Sequence, residues 1–117
     1  MKSILENLNR SVGVIGSAVM TPDGMLAASA ISDARDQEAL AAIGSSLVLS
    51  AARSLKTLGD AALDSLLVDG SRGKIMLVNT GSAYLVVITD AALSLDSTML
   101  DVRSAVERIQ RKINLDA

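Results

Sequence analysis

Apolar residues follow two different periods along this chain of 117 residues. In residues 12–20, 25–31, 63–69, 74–80 and 83–89 they alternate or form short runs, which is typical of β-strands. In residues 3–10, in residues 36–58 and from residue 96 onward they recur three and four positions apart, which is typical of amphipathic helices. The pattern predicts the order αββαβββα, an α+β fold with an antiparallel sheet and helices on both of its faces.

The first two strands are predicted to form a hairpin. Their connection contains Pro22, Asp23 and Gly24, which favour a tight turn because Pro presets φ and Gly accepts a positive φ. Gly13 and Gly16 lie at the start of the first strand and predict a bulge or a close backbone approach there.

Capping patterns predict the helix ends. Residues 3–6 fit a capping box that begins the first helix at Ser3. Gly59 is expected to close the long helix, and Asp96 to cap the last one, with Leu95 and Leu100 as a hydrophobic staple. The first helix is expected to bury Ile4, Leu5 and Leu8.

The long helix has two apolar sides, whereas an ordinary surface helix has one. One side is a predicted core stripe of Leu40, Ile43, Leu47, Ala51, Ser54 and Leu58. The other side carries Ala42, Ser45, Ser46 and Leu49, and charge appears only towards the ends, at Glu38, Arg53 and Lys56. This second side is either a neutral surface or a face covered by another protein. We favour the covered face because the small residues cluster around Leu49.

Two strands differ in character. Residues 63–69 contain Asp64 and Asp69 and predict an edge strand, whereas residues 83–89 are apolar and predict a central strand.

The last helix has an apolar seam and a basic side. The seam consists of Met99, Val102, Val106, Ile109 and Ile113. The basic side consists of Arg103, Arg108, Arg111 and Lys112, partly compensated by Asp101 and Glu107. We favour a solvated face with local ion pairs, and the alternative is a docking patch for an acidic partner.

Composition excludes most reactive chemistry. The chain has no His and no Cys, so it can form neither a Ser-His-Asp triad nor a Cys-His pair nor a zinc site of the usual kind. The pairs Asp33 with Asp36 and Asp64 with Asp69 could act as a general acid and base or bind a hard cation, but such pairs usually cap helices or solvate strand ends. We therefore expect no enzyme activity, no catalytic residue, no metal and no cofactor.

Length and charge complete the expectation. A chain of 117 residues fits one domain over residues 1–117, with a core of aliphatic side chains because there is no Phe or Trp and only one Tyr. A net charge of −2 gives no general attraction for nucleic acid. No targeting segment and no membrane-spanning run is evident, so we expect a cytoplasmic protein without direct membrane insertion.

Four segments together resemble the roadblock/dynein light-chain family, which includes bacterial MglB-type regulators of Ras-like GTPases. They are Gly13-Val-Ile-Gly16, Asp23-Gly24-Met-Leu, the Ala-rich helix ending in Leu58-Gly59, and Gly81-Ser-Ala-Tyr-Leu-Val-Val87. The resemblance covers nearly the whole chain, although each segment is a turn or packing pattern and none is a catalytic signature. Residues 94–96 depart from it, because Ser-Leu-Asp stands where family members often carry Asn-Leu-Gly.

The resemblance implies a profilin-like sheet of order 2-1-5-4-3, with the long helix on one face and the terminal helices on the other. It also implies homodimers formed through the long helix and the third strand, and a Ras-like small GTPase as partner. The expected dimer interface contains Ser45, Leu49, Ala52, Leu66 and Val68. The expected partner-binding residues are Arg35, Glu38, Ala42 and Arg53.

Three functions stay open on the sequence alone. The first is a dimeric regulator of a GTPase, and the second is a dimerising scaffold or adaptor of a motor or signalling complex. The third, a small-molecule sensor or enzyme, is least supported because the chain lacks the aromatic side chains that usually line ligand pockets.

Overall fold

A computed structural model describes residues 1–31, 34–59, 62–90 and 95–116, with the side chains of residues 34, 35, 95–97 and 114–116 outside the description. The helices are α1 (Lys2–Leu8), α2 (Ala34–Thr57) and α3 (Leu95–Asp116). The strands are β1 (Val14–Met20), β2 (Leu26–Ala30), β3 (Ser65–Asp69), β4 (Gly73–Asn79) and β5 (Tyr84–Asp90). This is the predicted order αββαβββα.

The five strands form one antiparallel sheet in the order β2-β1-β5-β4-β3. Strand β5 is central, as its apolar run predicts, and β3 is an edge strand, as its terminal aspartates predict. The strand order also confirms the topology that the family resemblance implies.

Two apolar clusters cover the two faces of the sheet. On one face α1 and α3 bury Leu5, Val102 and Ile109 against strand residues such as Leu85 and Val87. On the other face α2 packs against alternate positions of the same strands, in a cluster of Ala18, Met20, Leu40, Val48, Leu63, Leu77, Tyr84 and Val86. The expected placement of the long helix opposite the terminal helices is therefore confirmed, and so is the seam of α3.

The hairpin between β1 and β2 turns at Gly24. The Gly24 amide donates to the Thr21 carbonyl at 3.0 Å, and the Thr21 amide donates to the Met25 carbonyl at 2.8 Å. Gly24 has a φ of 92°, a backbone conformation that costs L residues energy and Gly very little. The turn also touches α2, because a Cβ on Gly24 would lie 2.9 Å from the Ser45 Cβ.

The start of β1 is irregular, as the glycines predict. Its register with β5 shifts between Val14 and Gly16, which marks a bulge. The strand begins at Val14 instead of residue 12, and Val12 and Ile15 are exposed rather than buried. The predicted start of the strand at residue 12 is therefore two residues too early, and Val12 and Ile15 lie outside the core.

The predicted core stripe of α2 is only partly right. Leu40 is buried and Leu47 and Ala51 pack against the core, but Ile43, Ser54 and Leu58 are exposed. The buried line runs through Ala41, Gly44, Val48 and Leu55 instead. The helix turns this side to the sheet because Gly44 permits a close approach: a Cβ there would lie 2.9 Å from the Met20 Sδ.

The helix ends give a mixed outcome. Met1 occupies the N-cap position of α1 and no side-chain capping bond forms, so the capping box at residues 3–6 is wrong, although Ile4, Leu5 and Leu8 are buried as expected. Gly59 follows the end of α2 with a φ of 104°, which confirms the predicted helix stop. The predicted cap Asp96 and its staple partner Leu95 have side chains outside the described residues, and Leu100 is exposed.

The Gly24→Ala variant tests how closely the hairpin fits against α2. Gly81→Ala is a matched control, because Gly81 also has a positive φ but a Cβ added to it would meet no atom within 4 Å. We expect Gly81→Ala to lower the free energy of unfolding by about 1–2 kcal/mol through backbone strain. Gly24→Ala should cost about 1–3 kcal/mol more through the contact with Ser45. Urea unfolding measures both, and equal losses would show that the contact is unimportant.

Candidate protein-binding surface

The side of α2 that faces away from the sheet is weakly charged and partly apolar. We call it the α2 outer face and define it by Glu38, Ala42, Ser46, Leu49 and Arg53, all of which are exposed. Leu49 is 52% exposed. The spacing of three and four residues keeps these side chains on one side of the helix while Val48 and Leu55 point to the core. The sequence-based description of this side holds for Ala42, Ser46 and Leu49, whereas Ser45, which was placed on the same side, is half-buried.

The second part of the surface is the open edge of the sheet. We call it the β3 edge and define it by strand β3, Ser65–Asp69, which pairs only with β4 in the described sheet. Leu67 is 44% exposed and Val68 is 38% exposed. They lie on opposite faces of the sheet. Their partners on β4, Met76 and Ile75, pack in the clusters on opposite faces. An edge strand has unpaired backbone groups, so apolar side chains on both of its faces favour pairing with another strand.

The β2 edge, at the other side of the sheet, is protected differently. The Asn9 side-chain amide donates to the Ala30 carbonyl at 2.8 Å, and the Gln37 side-chain amide donates to the Ile31 carbonyl at 2.7 Å. Two backbone acceptors at the end of this edge are therefore already bound, and β2 has only one side chain larger than Ser, that of Leu26. Of the two edges, the β3 edge is therefore the better suited to pair with a strand of another molecule.

The expected dimer residues are distributed unevenly. Leu49 and Val68 are exposed, whereas Ala52 and Leu66 are half-buried and Leu66 packs in the core under α2. Ser45 lies beside the β1–β2 hairpin, where its hydroxyl approaches the Pro22 carbonyl at 3.5 Å. The dimer interface stays a prediction.

Sequence reasoning missed one exposed residue of this surface. Leu67 is at least as exposed as Val68, and the signal for it was the apolar run of residues 66–68 in a predicted edge strand. Of the expected partner-binding residues, Glu38, Ala42 and Arg53 lie together on the α2 outer face. The side chain of Arg35 is outside the described residues.

The described members of the two aspartate pairs are exposed to solvent, as expected for residues near the ends of helices and strands. Asp69 accepts a bond of 2.8 Å from Lys74 across the β3–β4 turn, and Asp36 and Asp64 are exposed. Asp33 lies outside the described residues. In the part of the chain that the structure describes, no group of three or more acidic side chains is placed to hold a metal ion. No described helix has the length and apolar character needed to cross a membrane.

The fold agrees with a comparison by family. Residues 2–89 match the Roadblock/LC7 domain, and the chain belongs to that family. This finding confirms the resemblance drawn from the four sequence segments.

Relatives and solved structures extend the comparison. The uncharacterized protein MJ1340 of Methanocaldococcus jannaschii is 32% identical over 107 residues, which cover 92% of this chain and 94% of that protein. The Roadblock/LC7 domain from Streptomyces avermitilis has a TM-score of 0.89 at 14% identity, with 97% of each chain covered. Myxococcus xanthus MglB has a TM-score of 0.88 at 20% identity, covering 97% of this chain and 94% of that one.

A more distant likeness confirms the profilin-like description of the fold. Acanthamoeba castellanii profilin IB has a TM-score of 0.64 at 13% identity, with 95% of this chain and 97% of that one covered. At these identities the three solved structures show a shared fold.

Substitutions at two neighbouring residues of α2 test which side of the helix packs against the sheet. Val48→Ser places a hydroxyl in the core and should lower the free energy of unfolding by about 2–4 kcal/mol. Leu49→Ser should change it by less than about 0.5 kcal/mol, because Leu49 is largely exposed in the single chain. Urea unfolding should be measured at protein concentrations low enough that the midpoint is independent of concentration. A loss at Leu49 equal to that at Val48 would contradict this orientation of the helix.

Proposed function

We propose that the protein is a homodimeric protein-binding module that regulates a small Ras-like GTPase. The observation that carries the proposal is the pair of uncovered apolar surfaces, the α2 outer face around Leu49 and the β3 edge at Leu67 and Val68. Family membership supports it, because the roadblock resemblance implies both dimerisation through these elements and a GTPase partner.

Pairing of two β3 edges explains how a dimer would be stabilised. Antiparallel pairing joins the unpaired backbone groups of both strands and extends the sheet into the second copy. Leu67 and Val68 then gain cross-strand neighbours, each on its own face of the sheet, and such a pair contributes about 0.2–1 kcal/mol. Contact between the two α2 helices would cover Leu49, and small neighbours such as Ala42 and Ser46 allow a close approach.

Leu49→Arg tests the dimer directly. A charge inside the contact should weaken dimerisation by several kcal/mol, because an unpaired buried charge costs about 3–5 kcal/mol. The matched control is Leu100→Arg, which makes the same change at an exposed leucine of α3 on the other face of the sheet. Light scattering over a dilution series should show a dimer for the wild type and the control and a monomer for Leu49→Arg. A wild-type monomer at micromolar concentration would overturn the dimer.

The regulatory step is proposed to be conformational. Arg53 lies within α2, which ends at Thr57, and a rigid helical backbone limits how far its side chain could reach into a nucleotide site. Within the described residues it forms no ion pair, so it is available to contact a partner surface. We therefore propose that the protein binds one nucleotide-dependent conformation of the GTPase and donates no catalytic group.

Single-turnover GTP hydrolysis by the Ras-like GTPase that the protein binds tests this mechanism. Arg53→Ala and Arg35→Ala should change the stimulated rate by less than about tenfold, whereas loss of an arginine finger costs about 10³–10⁵. A thousandfold loss with unchanged affinity would identify a donated arginine and contradict the proposal.

Binding in the two nucleotide states separates regulation from scaffolding. A regulator should bind the GTPase more tightly in one state, GTP or GDP, and change its hydrolysis rate. Equal affinity for both states with no change in rate would favour the scaffold and exclude the regulator.

A further inference from the structure

A groove lies between α1, the loop that follows it, and α3, on the face of the sheet opposite α2. Its volume is about 430 Å³. The floor is formed by side chains that are almost completely buried, Ile4, Leu8 and Ala105. The groove is therefore a fixed feature of the packed core between the two terminal helices.

Two arginines line this groove. Arg10 comes from the loop after α1 and Arg108 from α3, and both are exposed. Neither forms an ion pair with another described residue. Arg111, on the next turn of α3, differs because it lies 3.8 Å from Glu107. Each of these two guanidinium groups is therefore without an ion-pair partner among the described residues.

Among the described residues that line the groove, Asp101 is the one carboxylate, and its negative charge offsets part of the positive charge. Asp101 also accepts a hydrogen bond of 2.8 Å from the Ser11 hydroxyl, which ties the loop after α1 to α3. Lys112 is exposed one turn beyond Arg108 and adds a positive charge at that end. With two arginines and one aspartate, the described lining of the groove has a formal net charge of +1, although the chain as a whole has a net charge of −2.

An exposed apolar side chain borders the same groove. Val12 is 88% exposed and lies among the lining residues, next to the buried floor. A ligand that fits here needs carboxylates for the arginines and an apolar group for Val12. A free anion would leave Val12 in water, and an acidic segment of a protein offers both kinds of group.

We propose that this groove binds an acidic amphipathic segment of a partner protein. Carboxylates of the segment meet Arg10 and Arg108, and an apolar side chain packs on Val12 and the floor. A protein segment fits better than an anionic membrane, because Arg10 and Arg108 line a concave groove and exposed acids, Glu6 and Glu107, lie on the same helices. The groove is on the face away from α2, so a dimer through α2 and β3 keeps one groove free in each copy.

A charge-exchange binding experiment tests the groove. The probe is a fluorescent helical peptide with Glu residues at i and i+4 and Leu residues beside them, measured by anisotropy at low salt. The Arg10→Glu/Arg108→Glu variant should bind it at least about tenfold more weakly than the wild type. Arg103→Glu/Arg111→Glu is the matched control, since it changes the net charge equally outside the groove, and it should retain wild-type affinity within about threefold.

A second peptide, in which Lys replaces each Glu, completes the exchange of charge between peptide and groove. It should bind the reversed variant and not the wild type, which a fold defect could not produce. If the reversed variant fails to fold by circular dichroism, Arg10→Gln/Arg108→Gln replaces it, with the same weakening expected for the glutamate peptide. Equal loss in the groove and control variants would overturn the proposal. Binding to phosphatidylserine vesicles through Arg10 and Arg108, without binding of the peptide, would also overturn it.

Discussion

Strand β5 must be buried on both faces, and most of the structure depends on this constraint. Tyr84, Val86 and Ile88 contact the cluster under α2, and Leu85 and Val87 contact the cluster under α1 and α3. A strand of this kind loses water from both sides only when neighbours and helices cover it completely. Strands β1 and β4 supply the neighbours, and the helices close the two faces. The edges of the sheet are left as the positions where backbone groups can meet another molecule.

The two outer strands differ in how far their edges are covered. At β2 the side-chain amides of Asn9 and Gln37 bind backbone carbonyls, and the strand consists mainly of Ala and Ser. At β3 the exposed Leu67 and Val68 have no such cover within the described residues. Surfaces of this kind carry the proposed function. The α2 outer face lies on the same side of the sheet as Val68, so one partner could contact both.

Local periodicity was enough to predict the eight elements and both sheet positions that matter, the central residues 83–89 and the edge residues 63–69. It was insufficient for α2, because the helix approaches the sheet most closely at Gly44, which has no side chain to enter a hydrophobic pattern. Counting helical positions from Leu40 therefore predicted a buried Ile43. In the structure Ile43 is exposed, and Val48, which the predicted stripe omitted, is buried. The groove between Arg10 and Arg108 was not predictable, because only the fold brings residues so distant in the chain together. The strand order came from the family resemblance and not from spacing.

Hydrogen exchange of the two sheet edges at low and high protein concentration tests the central claim most directly. If two copies pair through β3, the amides of residues 65–69 become more protected as the concentration rises, while those of residues 26–30 at the β2 edge do not change. Leu49 and its neighbours on α2 should gain no backbone protection, because their amides are already bonded within the helix. Protection of residues 65–69 that is independent of concentration over the range from nanomolar to millimolar would contradict pairing through β3.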